Sequence, residues 1–444
     1  MTILSTVFRI HLLGLVLLST NAAVGDSLRP NILFILADDL GYGDLGCYGC
    51  PDIRTPHLDQ LAKEGLLFTD FYANGSGCTP TRAAFLTGRY QHRIGLEHAV
   101  YYQELGRGLP VDGTTIADSL RSAGYLTGLS GKWHLGYDWE RRPCQQGFDH
   151  FFGLLGGNHH YFEHMDRVGA PDLWRNNEAI QRDGYTTKLI TEDAMTFLDR
   201  AANQRVPFFL YLSHPAPHFP WQGPNDAEKE VRPKKASWQQ GDRETYRSMV
   251  ESMDEGIGKV LTKLDQLGLR NSTLVVFSSD NGGHTHSRNA PLRDFKGTRW
   301  EGGVRVPCIA RWPGVIPAGQ VTMQVGITMD WTTTFRKLAA LPIDPAGEDG
   351  MDLLPSLKAP SEIRERTLFW KRAPSERRKR VREGRAVRQG SWKYISYADG
   401  DRHLFDLAQD PSEEHDLFSE MPEHANQLQA AIDEWEQTVS ASPF

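Results

Sequence analysis

The stretch Asn31-Ile-Leu-Phe-Ile-Leu-Ala37, followed directly by Asp38-Asp39, decides the fold of this 444-residue chain. Its apolar side chains run without interruption for the length of one strand, which is typical of a strand buried on both faces of a sheet. Two carboxylates at the end of such a strand are costly to bury unless a cation or hydrogen bonds neutralise them. The stretch therefore predicts a central strand with a charged site at its carboxyl end.

Two further apolar runs of strand length also end in polar side chains. Residues 273–279 lead into Asp280 and Asn281, and residues 207–212 lead into a segment that contains His214 and His218. Helical patterns lie between the strands, over residues 55–65, 114–124, 185–202 and 246–267. Alternating strands and helices predict an α/β fold with a large, mostly parallel sheet and helices on both faces. The carboxyl ends of these strands should then form one shared site.

The chain changes character after about residue 345. Short strand patterns at residues 367–371, 385–388 and 392–397 are separated by turns, and a polar helix follows at about 422–439. We therefore predict a catalytic α/β domain over residues 26–345 and a small antiparallel α+β domain over residues 346–444.

The C-terminal region also carries an unusual concentration of positive charge. Residues 361–395 hold twelve Lys or Arg and four Glu, although the whole chain has a formal net charge of −7. This basic segment is either a solvated loop or a patch that attracts a polyanionic substrate. The acidic net charge of the whole chain argues against a general nucleic-acid binder.

The first 25 residues have the pattern of a secretory signal peptide. Arg9 is followed by the apolar run 10–18, and the small residues Ala22, Ala23 and Gly25 come next. A charged start, a short apolar core and a small-residue cleavage site are the parts of such a signal. The run is too short to span a bilayer comfortably, and no later segment of the sequence is long enough. The pattern predicts export to the periplasm or secretion after cleavage near Gly25, without stable membrane insertion.

The chain has five cysteines, an odd number for an exported protein, at positions 47, 50, 78, 144 and 308. Cys47 and Cys50 have the spacing of a redox or zinc motif, but Cys144 and Cys308 are too isolated to supply the second pair of a zinc site. An inert or loosely disulfide-linked loop is the better interpretation of the first two cysteines.

Cys78 stands in a different context, the segment Gly75-Ser-Gly-Cys-Thr-Pro-Thr-Arg82. Pro80 is typical of a first helical position, and an apolar helical pattern follows it. Cys78 is therefore expected at a helix N-terminus, where backbone N–H groups and the helix dipole favour anions. Arg82, one turn later, can face the same site. Cys78 is a candidate nucleophile, but its step to Arg82 is too short for the phosphate-binding loop of cysteine phosphatases.

The two acidic strand ends offer a set of oxygen ligands. Asp38, Asp39, Asp280 and Asn281 would form an all-oxygen shell for a hard divalent cation, calcium before magnesium. A zinc site would need a cluster of His or Cys, which does not accompany them. The alternative is that these acidic residues merely cap helices.

Cys78-x-Pro80-x-Arg82, followed by Leu86-Thr-Gly-Arg89, resembles the signature of the type I sulfatases, in which this cysteine is oxidised to formylglycine. Other segments are similar to the family's motifs, in the same order, and cover nearly the whole mature chain. They are Asp38-Asp39 with Gly41-Tyr-Gly-Asp44, Thr55-Pro-His-Leu-Asp-Gln-Leu-Ala62, Gly131-Lys-Trp-His-Leu-Gly136, Asp280-Asn-Gly282, Lys296-Gly297 with Glu301-Gly-Gly-Val-Arg-Val-Pro307, and Leu404-Phe-Asp-Leu407 with Asp410-Pro-Ser-Glu413. The overall pattern is most similar to arylsulfatases and N-acetylgalactosamine-6-sulfatases. The resemblance implies an alkaline-phosphatase-like α/β/α sandwich.

The resemblance also implies a cofactor and a maturation partner. One calcium ion per chain would be bound by the four oxygen-bearing residues and by modified Cys78, that is, by Asp38, Asp39, Cys78, Asp280 and Asn281. A formylglycine-generating enzyme would convert Cys78 before the protein becomes active.

The resemblance assigns further roles to five residues that match family motifs. Arg82 and Lys132 would hold the formylglycine hydrate and the charge of the sulfate, and His134 would help to expel sulfate. His218 and Lys296 would contact the sulfate and protonate the leaving oxygen. A histidine near neutral pKa suits such acid–base work.

Other histidines have more than one interpretation. His218 fits the family's His-x-Pro pattern, which leaves His214 as a loop or substrate residue. His159, His160 and His164 belong either to a surface loop or to a loop that faces the substrate.

The predicted reaction is hydrolysis of a sulfate monoester, with a sulfated carbohydrate or an aryl sulfate as substrate. Export, the basic segment and loops rich in aromatic residues and histidine favour a carbohydrate, although a fold does not determine sugar specificity. The main alternative is a phosphonate or phosphate ester hydrolase that shares the same core. A non-catalytic polyanion-binding protein, with Cys78 never modified, is the alternative from another class.

Overall fold

Strand β1 (Asn31–Ala37) is buried along its whole length and lies in the middle of a large sheet, as the sequence predicts. The structure is a computed structural model that describes residues 29–102, 104–227, 236–342, 347–372 and 382–440. The predicted signal segment, residues 1–25, lies outside the described residues.

The sheet is parallel where it forms the site. Its other strands are β2 (Leu66–Phe68), β4 (Leu126–Lys132), β5 (His150–Leu154), β6 (Trp174–Arg175), β7 (Glu178–Ala179), β8 (Phe208–Ser213), β9 (Thr273–Ser279), β10 (Cys308–Arg311) and β11 (Gln320–Thr322), while β3 (Phe71–Tyr72) pairs separately with β12 (Gly326–Ile327). In the described chain the strand order is β11-β2-β10-β9-β1-β8-β4-β5-β6-β7. All neighbours within β9-β1-β8-β4-β5 are parallel, so their carboxyl ends lie along one edge.

The predicted helices are present, with ends that differ by a few residues. The α-helices are α1 (Pro56–Lys63), α2 (Cys78–Thr87), α3 (Ile116–Ser122), α4 (Thr186–Gln204), α5 (Arg243–Gln266), α6 (Glu301–Val304), α7 (Asp330–Leu338), α8 (Leu354–Lys358) and α9 (Pro422–Ser440). Short 3-10 helices cover Gly46–Tyr48, Gln91–Ile94, Trp139–Arg141, Pro143–Gln145, Ala236–Gln239 and Arg270–Ser272. Within the described ranges, none of the helices is long and apolar enough to cross a membrane.

Alternate side chains of β1 enter two separate layers of the core. Phe34 and Leu36 pack with residues of α2, α3 and α7, whereas Leu33 and Ile35 pack with residues of α1, α4 and α5. Because successive side chains of a strand point to opposite faces, one apolar strand serves both layers. This arrangement is the alkaline-phosphatase-like α/β/α sandwich that the resemblance predicts.

Strand β4 is not predicted by the sequence analysis, although it carries Lys132 at its end. Its sequence, Leu-Thr-Gly-Leu-Ser-Gly-Lys, mixes glycines and small polar residues with only two leucines. The glycines are required by close packing: a Cβ on Gly128 would lie 2.4 Å from the Phe197 ring, and one on Gly131 would lie 1.8 Å from the Ser213 carbonyl oxygen. Glycine inside a strand marks such close approach and weakens the sequence signal at the same time.

The C-terminal region forms a small antiparallel sheet, as expected. Its strands are β13 (Thr367–Arg372), β14 (Gly384–Gln389), β15 (Trp392–Tyr397) and β16 (Arg402–Asp406), paired in that order. The first three correspond to predicted strands, and β16 is an addition. Helix α9, also predicted, packs its apolar side chains against the sheet.

A buried ion network joins this small sheet to the loop that follows Lys296. Lys393 Nζ, on β15, lies 2.7 Å from Glu301 Oε1 and 2.9 Å from Glu413 Oε1, and all three side chains are fully buried. Glu413 also accepts a hydrogen bond from the Glu301 backbone N–H (2.7 Å). Burial raises the pKa of Glu413 to about 7. Burial would raise the pKa of Glu301 as well, but Lys393 and Arg305 outweigh it and hold that pKa low.

Replacing Lys393 by methionine should lower the free energy of unfolding by about 3–5 kcal/mol, because it leaves buried carboxylates without their cation. Urea denaturation followed by circular dichroism measures the change. Lys259→Met is the control, since Lys259 pairs with Glu255 (2.7 Å) on the exposed face of α5. The control should cost less than about 1 kcal/mol, and equal losses in the two variants would contradict the importance of the buried network.

Candidate active site

Carboxylates from two adjacent parallel strands meet at the carboxyl edge of the sheet. Asp38 and Asp39 follow β1, Asp280 and Asn281 follow β9, and all four side chains are buried. The Asp39 backbone N–H donates to Asp280 Oδ1 (3.3 Å), and Asn281 Nδ2 donates to Asp39 Oδ1 (2.8 Å). Asp39 has a φ of +64°, a conformation that costs a non-glycine residue about 1–3 kcal/mol and is concentrated at functional sites.

Cys78 is the first residue of α2 and points into this acidic cluster. Its Sγ lies 3.2 Å from Asp38 Oδ1, and Lys296 Nζ lies 3.3 Å from the same sulfur. Burial raises the pKa of the Cys78 thiol well above its usual range, and the neighbouring carboxylates of Asp280 and Asp38 act in the same direction. The helix N-terminus therefore brings the candidate nucleophile to the carboxylates, as the sequence predicts.

The start of α2 differs from the prediction in one respect. The helix begins at Cys78, so Pro80 is the third helical residue and not the first. The position is tolerated because the first four N–H groups of a helix have no partner within the helix, and proline's missing N–H is one of them. Cys78 consequently belongs to the helix itself, with Gly77 as the extended residue before it.

Arg82 is fully buried and is ion-paired with Asp280, the residue that follows β9. Its Nε and Nη2 lie 2.9 and 2.8 Å from Asp280 Oδ2. Its Nη1 donates to the Lys132 carbonyl oxygen (3.2 Å) and to Ser213 Oγ, at the ends of β4 and β8. Burial opposes the charge of Arg82, but Tyr211 and Asp280 outweigh it and raise the pKa above its usual range. Arg82 thus ties the ends of three strands together.

Two lysines neutralise the pair of aspartates after β1. Lys132 Nζ is ion-paired with Asp38 Oδ2, and both side chains are fully buried. Lys296 Nζ is ion-paired with Asp39 Oδ1 at 2.5 Å. Burial works against the charge of Lys296, but Asp39 outweighs it and raises the pKa. Each of the two carboxylates therefore has its own ammonium group.

The formal charges of the cluster balance. Asp38, Asp39 and Asp280 face Arg82, Lys132 and Lys296, three carboxylates against three cations. Burial raises the pKa of Asp280 to about 6, and the nearby Asp38 adds to the shift. Burial would also raise the pKa of Asp39, but Lys296 and His218 outweigh it, so that this carboxylate is held ionised.

The two predicted catalytic histidines reach the same cavity. His218 Nε2 lies 3.5 Å from Asp39 Oδ2, and its Nδ1–H donates to the Phe219 carbonyl oxygen (2.7 Å). His134, with a φ of +60°, donates from Nε2–H to the Val100 carbonyl oxygen (3.0 Å). Burial lowers the pKa of both imidazoles well below the usual range, so both are neutral.

The donor set fits a hard cation. Asp38, Asp39, Cys78 and His218 each offer a ligand atom, and these atoms lie within 4.8 Å of one another. Two buried oxygens of the cluster, Asp39 Oδ2 and Asn281 Oδ1, have no hydrogen-bond donor within the described residues. Buried oxygens without donors are costly unless a cation or water satisfies them. Carboxylate and amide oxygens are the ligands that calcium prefers.

A cavity of about 350 Å³ opens from Cys78 toward the surface. Cys78, His134, His218 and Lys296 line its inner end, and the remaining lining comes from several loops and from the C-terminal sheet. Tyr101 and Tyr102 belong to one of the loops rich in aromatic residues and histidine that favoured a carbohydrate. The sequence did not assign four other lining residues to a site: Tyr137, Arg167, Lys371 and Arg372. Only the excess of Lys and Arg in residues 361–395 pointed toward the last two of these.

Arg82 and Lys132 do not reach the lining of this cavity in the described structure. They lie behind the carboxylates, with both side chains fully buried. Arg82 pairs with Asp280 and Lys132 pairs with Asp38. Burial raises the pKa of the Cys78 thiol, and Lys132 opposes that shift, so its charge also acts on Cys78. The resemblance implies that Arg82 and Lys132 both hold the formylglycine hydrate and the charge of the sulfate, whereas in this structure Lys296 lines the cavity and these two residues do not.

The four histidines with more than one interpretation, His159, His160, His164 and His214, do not line the cavity in the described structure. His214 is fully buried, lies away from the lining of the cavity, and has no hydrogen-bond partner for either ring nitrogen among the described residues. His159 bonds to the Asp172 carbonyl oxygen and Thr186 Oγ1, and His164 bonds to the Gly184 carbonyl oxygen. His160 accepts backbone N–H groups of its own loop.

The buried histidines hold their loop so that a neighbour reaches the cavity. Asn158 lines the cavity, and its Nδ2 donates to the Phe219 carbonyl oxygen (3.1 Å).

The cysteines other than Cys78 do not line the cavity in the described structure. Cys47, Cys50, Cys144 and Cys308 are all free thiols there. A disulfide between Cys47 and Cys50, one of the two possibilities left open by the sequence, is therefore not formed here.

Comparison with known proteins adds independent information. The family model described as Sulfatase matches residues 30–341, and the model described as N-sulphoglucosamine sulphohydrolase, C-terminal, matches residues 295–438. Human arylsulfatase A is 34% identical over 458 residues, covering 90% of this chain and 86% of that protein. Human N-acetylgalactosamine-6-sulfatase is 36% identical over 376 residues, covering 79% and 70%.

Solved structures agree with these matches. The crystal structure of Ps i-CgsB has a TM-score of 0.85 and 32% sequence identity, and the match covers 94% of each chain. The same protein has been solved in complex with k-i-k-neocarrahexaose, with the same scores. The similarity therefore extends over the catalytic sheet and the small C-terminal sheet alike.

Proposed function

This chain belongs to the sulfatase family and is a sulfuric ester hydrolase, and from that premise we propose that it releases sulfate from a sulfated carbohydrate with the help of calcium and of a formylglycine made from Cys78. The observation that carries the proposal is the position of Cys78. Its sulfur lies at a helix N-terminus, within 3.3 Å of both a carboxylate oxygen and an ammonium group.

Modified Cys78 would supply the nucleophile. Cys78, once converted and hydrated, would supply two hydroxyl groups: one for attack on sulfur with release of the alcohol, and one whose deprotonation would re-form the aldehyde and release sulfate without attack of water on sulfur. The partial positive charge of the α2 N-terminus favours negative charge that develops at this position. A formylglycine-generating enzyme is required as the maturation partner, and the N-terminal signal pattern supports export of the mature protein.

Asp38, Asp39, Asp280 and Asn281 would hold the calcium ion, whose charge withdraws electrons from a bound sulfate and offsets its negative charge. The three cations Arg82, Lys132 and Lys296 already balance the three carboxylates. A divalent cation would therefore make the whole site positive, which suits an anionic ester.

Three residues of the lining are positioned for proton transfer and sulfate binding. Lys296 Nζ, beside both Cys78 and Asp39, can donate to a sulfate oxygen or to the leaving oxygen. His218, whose Nε2 carries no proton when Nδ1 donates to Phe219, can accept or relay a proton at that atom. His134 lines the same inner end and would serve the release of sulfate.

The names of the relatives support a carbohydrate as substrate. N-acetylgalactosamine-6-sulfatase is named for a sulfated amino sugar, and Ps i-CgsB was solved with a molecule whose name denotes a hexasaccharide. The cavity also carries the rings of Tyr101, Tyr102 and Tyr137. Flat aromatic surfaces with a polar tip suit a sugar, which has both apolar and hydroxyl-bearing faces.

Sulfate release by ion chromatography tests the proposal. The protein is made together with a formylglycine-generating enzyme, conversion of Cys78 is confirmed by mass spectrometry, and a panel of sulfated glycans, their oligosaccharides, an aryl sulfate and a phosphonate ester is supplied with calcium. Sulfate release from a glycan supports the proposal. Cleavage of the phosphonate ester without any sulfate release would establish the alternative hydrolase instead.

His218→Ala should lower kcat for an aryl sulfate by about 10²–10⁴-fold, the usual contribution of a general acid or base. His214→Asn is the matched control, since His214 follows the same strand, β8, but does not line the cavity in the described structure. The control should retain most of the activity. Initial rates and thermal melting of both variants distinguish an effect on catalysis from an effect on folding. A larger loss of rate in the His214 variant would make His214 the catalytic histidine in place of His218.

A further inference from the structure

The outer wall of the catalytic cavity is built in part by the small C-terminal sheet. Lys371 and Arg372, the last two residues of β13, line the same cavity as Cys78 and Lys296. They belong to the basic segment 361–395, for which the sequence left open a solvated loop or a patch for polyanions. Two of its cations are therefore part of the substrate cavity, about 290 residues along the chain from Cys78.

Arg372 is held close to the catalytic loop by backbone contacts. Its Nη1 donates to the Gly297 carbonyl oxygen (3.0 Å), and the Gly297 N–H donates to the Ser76 carbonyl oxygen (2.9 Å). Gly297 has a φ of +95°, and a Cβ there would lie 3.4 Å from Arg372 Nη1. The guanidinium is thus hydrogen-bonded to Gly297, the residue after Lys296. Gly297 is in turn hydrogen-bonded to Ser76, which lies two residues before Cys78.

Lys371 is anchored but not fully neutralised. Its backbone carbonyl oxygen accepts a hydrogen bond from His92 Nε2 (3.1 Å), and its Nζ lies 3.7 Å from Glu436 Oε1. Its side chain is 27% exposed. An ion pair at that separation and exposure contributes little, so the ammonium group remains available to an anion in the cavity.

Two acidic residues, Asp166 and Glu97, also line the outer cavity. The Asp166 carboxylate accepts the backbone N–H groups of Val168 and Ala170 and so is turned toward its own loop. The Glu97 carboxylate offsets one of the positive charges of the lining. Arg167 is exposed at the same lining. In the described lining of the outer cavity, the three cations Arg167, Lys371 and Arg372 stand against the two carboxylates of Glu97 and Asp166, an excess of one positive charge.

We propose that Lys371 and Arg372, with Arg167 at the rim, form a subsite for a second anionic group of the substrate, so that the preferred substrate is a polyanionic glycan. The proposal rests on the proposed function, since it concerns the same cavity. The second group is a carboxylate or a sulfate, because both are planar or tetrahedral oxyanions that Arg and Lys bind by charge-assisted hydrogen bonds. These residues lie outside the catalytic cluster, so they should act on binding of the substrate and not on the chemical step.

The test compares two double variants that each remove two positive charges from the C-terminal sheet. Lys371→Gln with Arg372→Gln changes the cavity wall. Arg382→Gln with Arg402→Gln is the matched control, since both arginines belong to the same sheet region and are exposed, and neither lines the cavity in the described structure. The substrates are para-nitrophenyl sulfate, a monosulfated neutral oligosaccharide, and oligosaccharides that carry either a second sulfate or a uronate.

The cavity variant should lose about 10- to 100-fold in kcat/KM on the doubly charged oligosaccharides, mostly through KM, since hydrogen bonds to charged groups are worth about 1.5–3 kcal/mol. Its loss on para-nitrophenyl sulfate and on the monosulfated neutral sugar should be much smaller. The control variant should behave like the wild type on all substrates. A larger loss with the second sulfate than with the uronate, or the reverse, identifies the group that the subsite takes.

Equal losses on singly and doubly charged substrates would overturn the proposal, because the two residues would then serve the catalytic loop and not a second anion. Equal losses in the control would also overturn it, since long-range attraction would explain the effect. A second measurement does not depend on turnover: calorimetric binding of the doubly charged oligosaccharide to the Cys78→Ala protein, with and without the cavity substitutions. If the cavity substitutions weaken binding to the Cys78→Ala protein but the wild type releases no sulfate, the subsite is supported and the proposed reaction is wrong. If the substitutions leave binding unchanged, the subsite is wrong, whatever the outcome for the reaction.

Discussion

Cys78→Ala is expected to abolish sulfate release while leaving the fold intact. Without the nucleophile of a covalent mechanism, the acid, base and cations that assist it can no longer accelerate the reaction. The rate of sulfate release should therefore fall by about 10⁴-fold or more. The side chain is small and 5% exposed, and its polar contacts within 3.3 Å are with Asp38 and Lys296, which are also paired with other residues of the site. Thermal melting close to that of the wild type is therefore expected beside the loss of activity.

Two further cysteine variants make this result specific. Cys144→Ala, at a partly exposed free thiol, should keep full activity. Cys78→Ser places one hydroxyl where the proposal requires two, so it can attack sulfur once but has no second hydroxyl with which to expel sulfate. At most one equivalent of alcohol per protein molecule is expected from it. Sustained turnover by the serine or alanine variant would contradict the proposed nucleophile.

Removal of calcium should also abolish activity, and it should lower the melting temperature. The cluster of three buried carboxylates has oxygens without donors at Asp39 and Asn281. A ligand present at a thousand times its Kd stabilises a fold by about 4 kcal/mol, and that contribution is lost on chelation. The sheet itself should survive, because Arg82, Lys132 and Lys296 still pair with the carboxylates.

Chelation followed by re-addition of single metals measures this prediction. Calcium should restore both the rate and the melting temperature at lower concentration than magnesium, since the site offers oxygen ligands. Asn281→Ala should raise the calcium concentration needed for half of the activity, whereas Asn271→Ala, at an exposed asparagine before β9, should not. Full activity after exhaustive chelation, or restoration by zinc alone, would refute the calcium assignment.

The central strands and the site at their ends are predictable because their signals are local. Apolar runs such as Asn31–Ala37 cannot be stable when exposed, and polar side chains directly after them must lie at the sheet edge. The strand that carries Lys132 was not predicted. Its positions 128 and 131 are glycines because the Phe197 ring and the β8 backbone approach closely there, and glycines interrupt the apolar pattern of a buried strand. Such contacts join residues far apart in the chain, and no local pattern reveals them.

The roles within the predicted site depend on the same long-range packing. The resemblance gave Arg82 and Lys132 the role of holding the formylglycine hydrate and the charge of the sulfate, and gave Lys296 contact with the sulfate and protonation of the leaving oxygen. In the structure, Arg82 and Lys132 are buried behind Asp280 and Asp38, whereas Lys296 lines the cavity. The histidine-rich loop was open to either interpretation, and burial of His159 and His164 makes it a scaffold for Asn158.

By itself, the sequence determined the family, the α/β sheet and the identity of the residues that meet at its edge, because periodicity and motif order are properties of the chain. Only the tertiary structure decided which of those residues face the substrate cavity and which support them from behind. It also decided that Lys371 and Arg372 reach the cavity from the C-terminal sheet. The physical reason is that burial and ion pairing depend on distances between side chains from remote segments, which are set only when the sheets pack together.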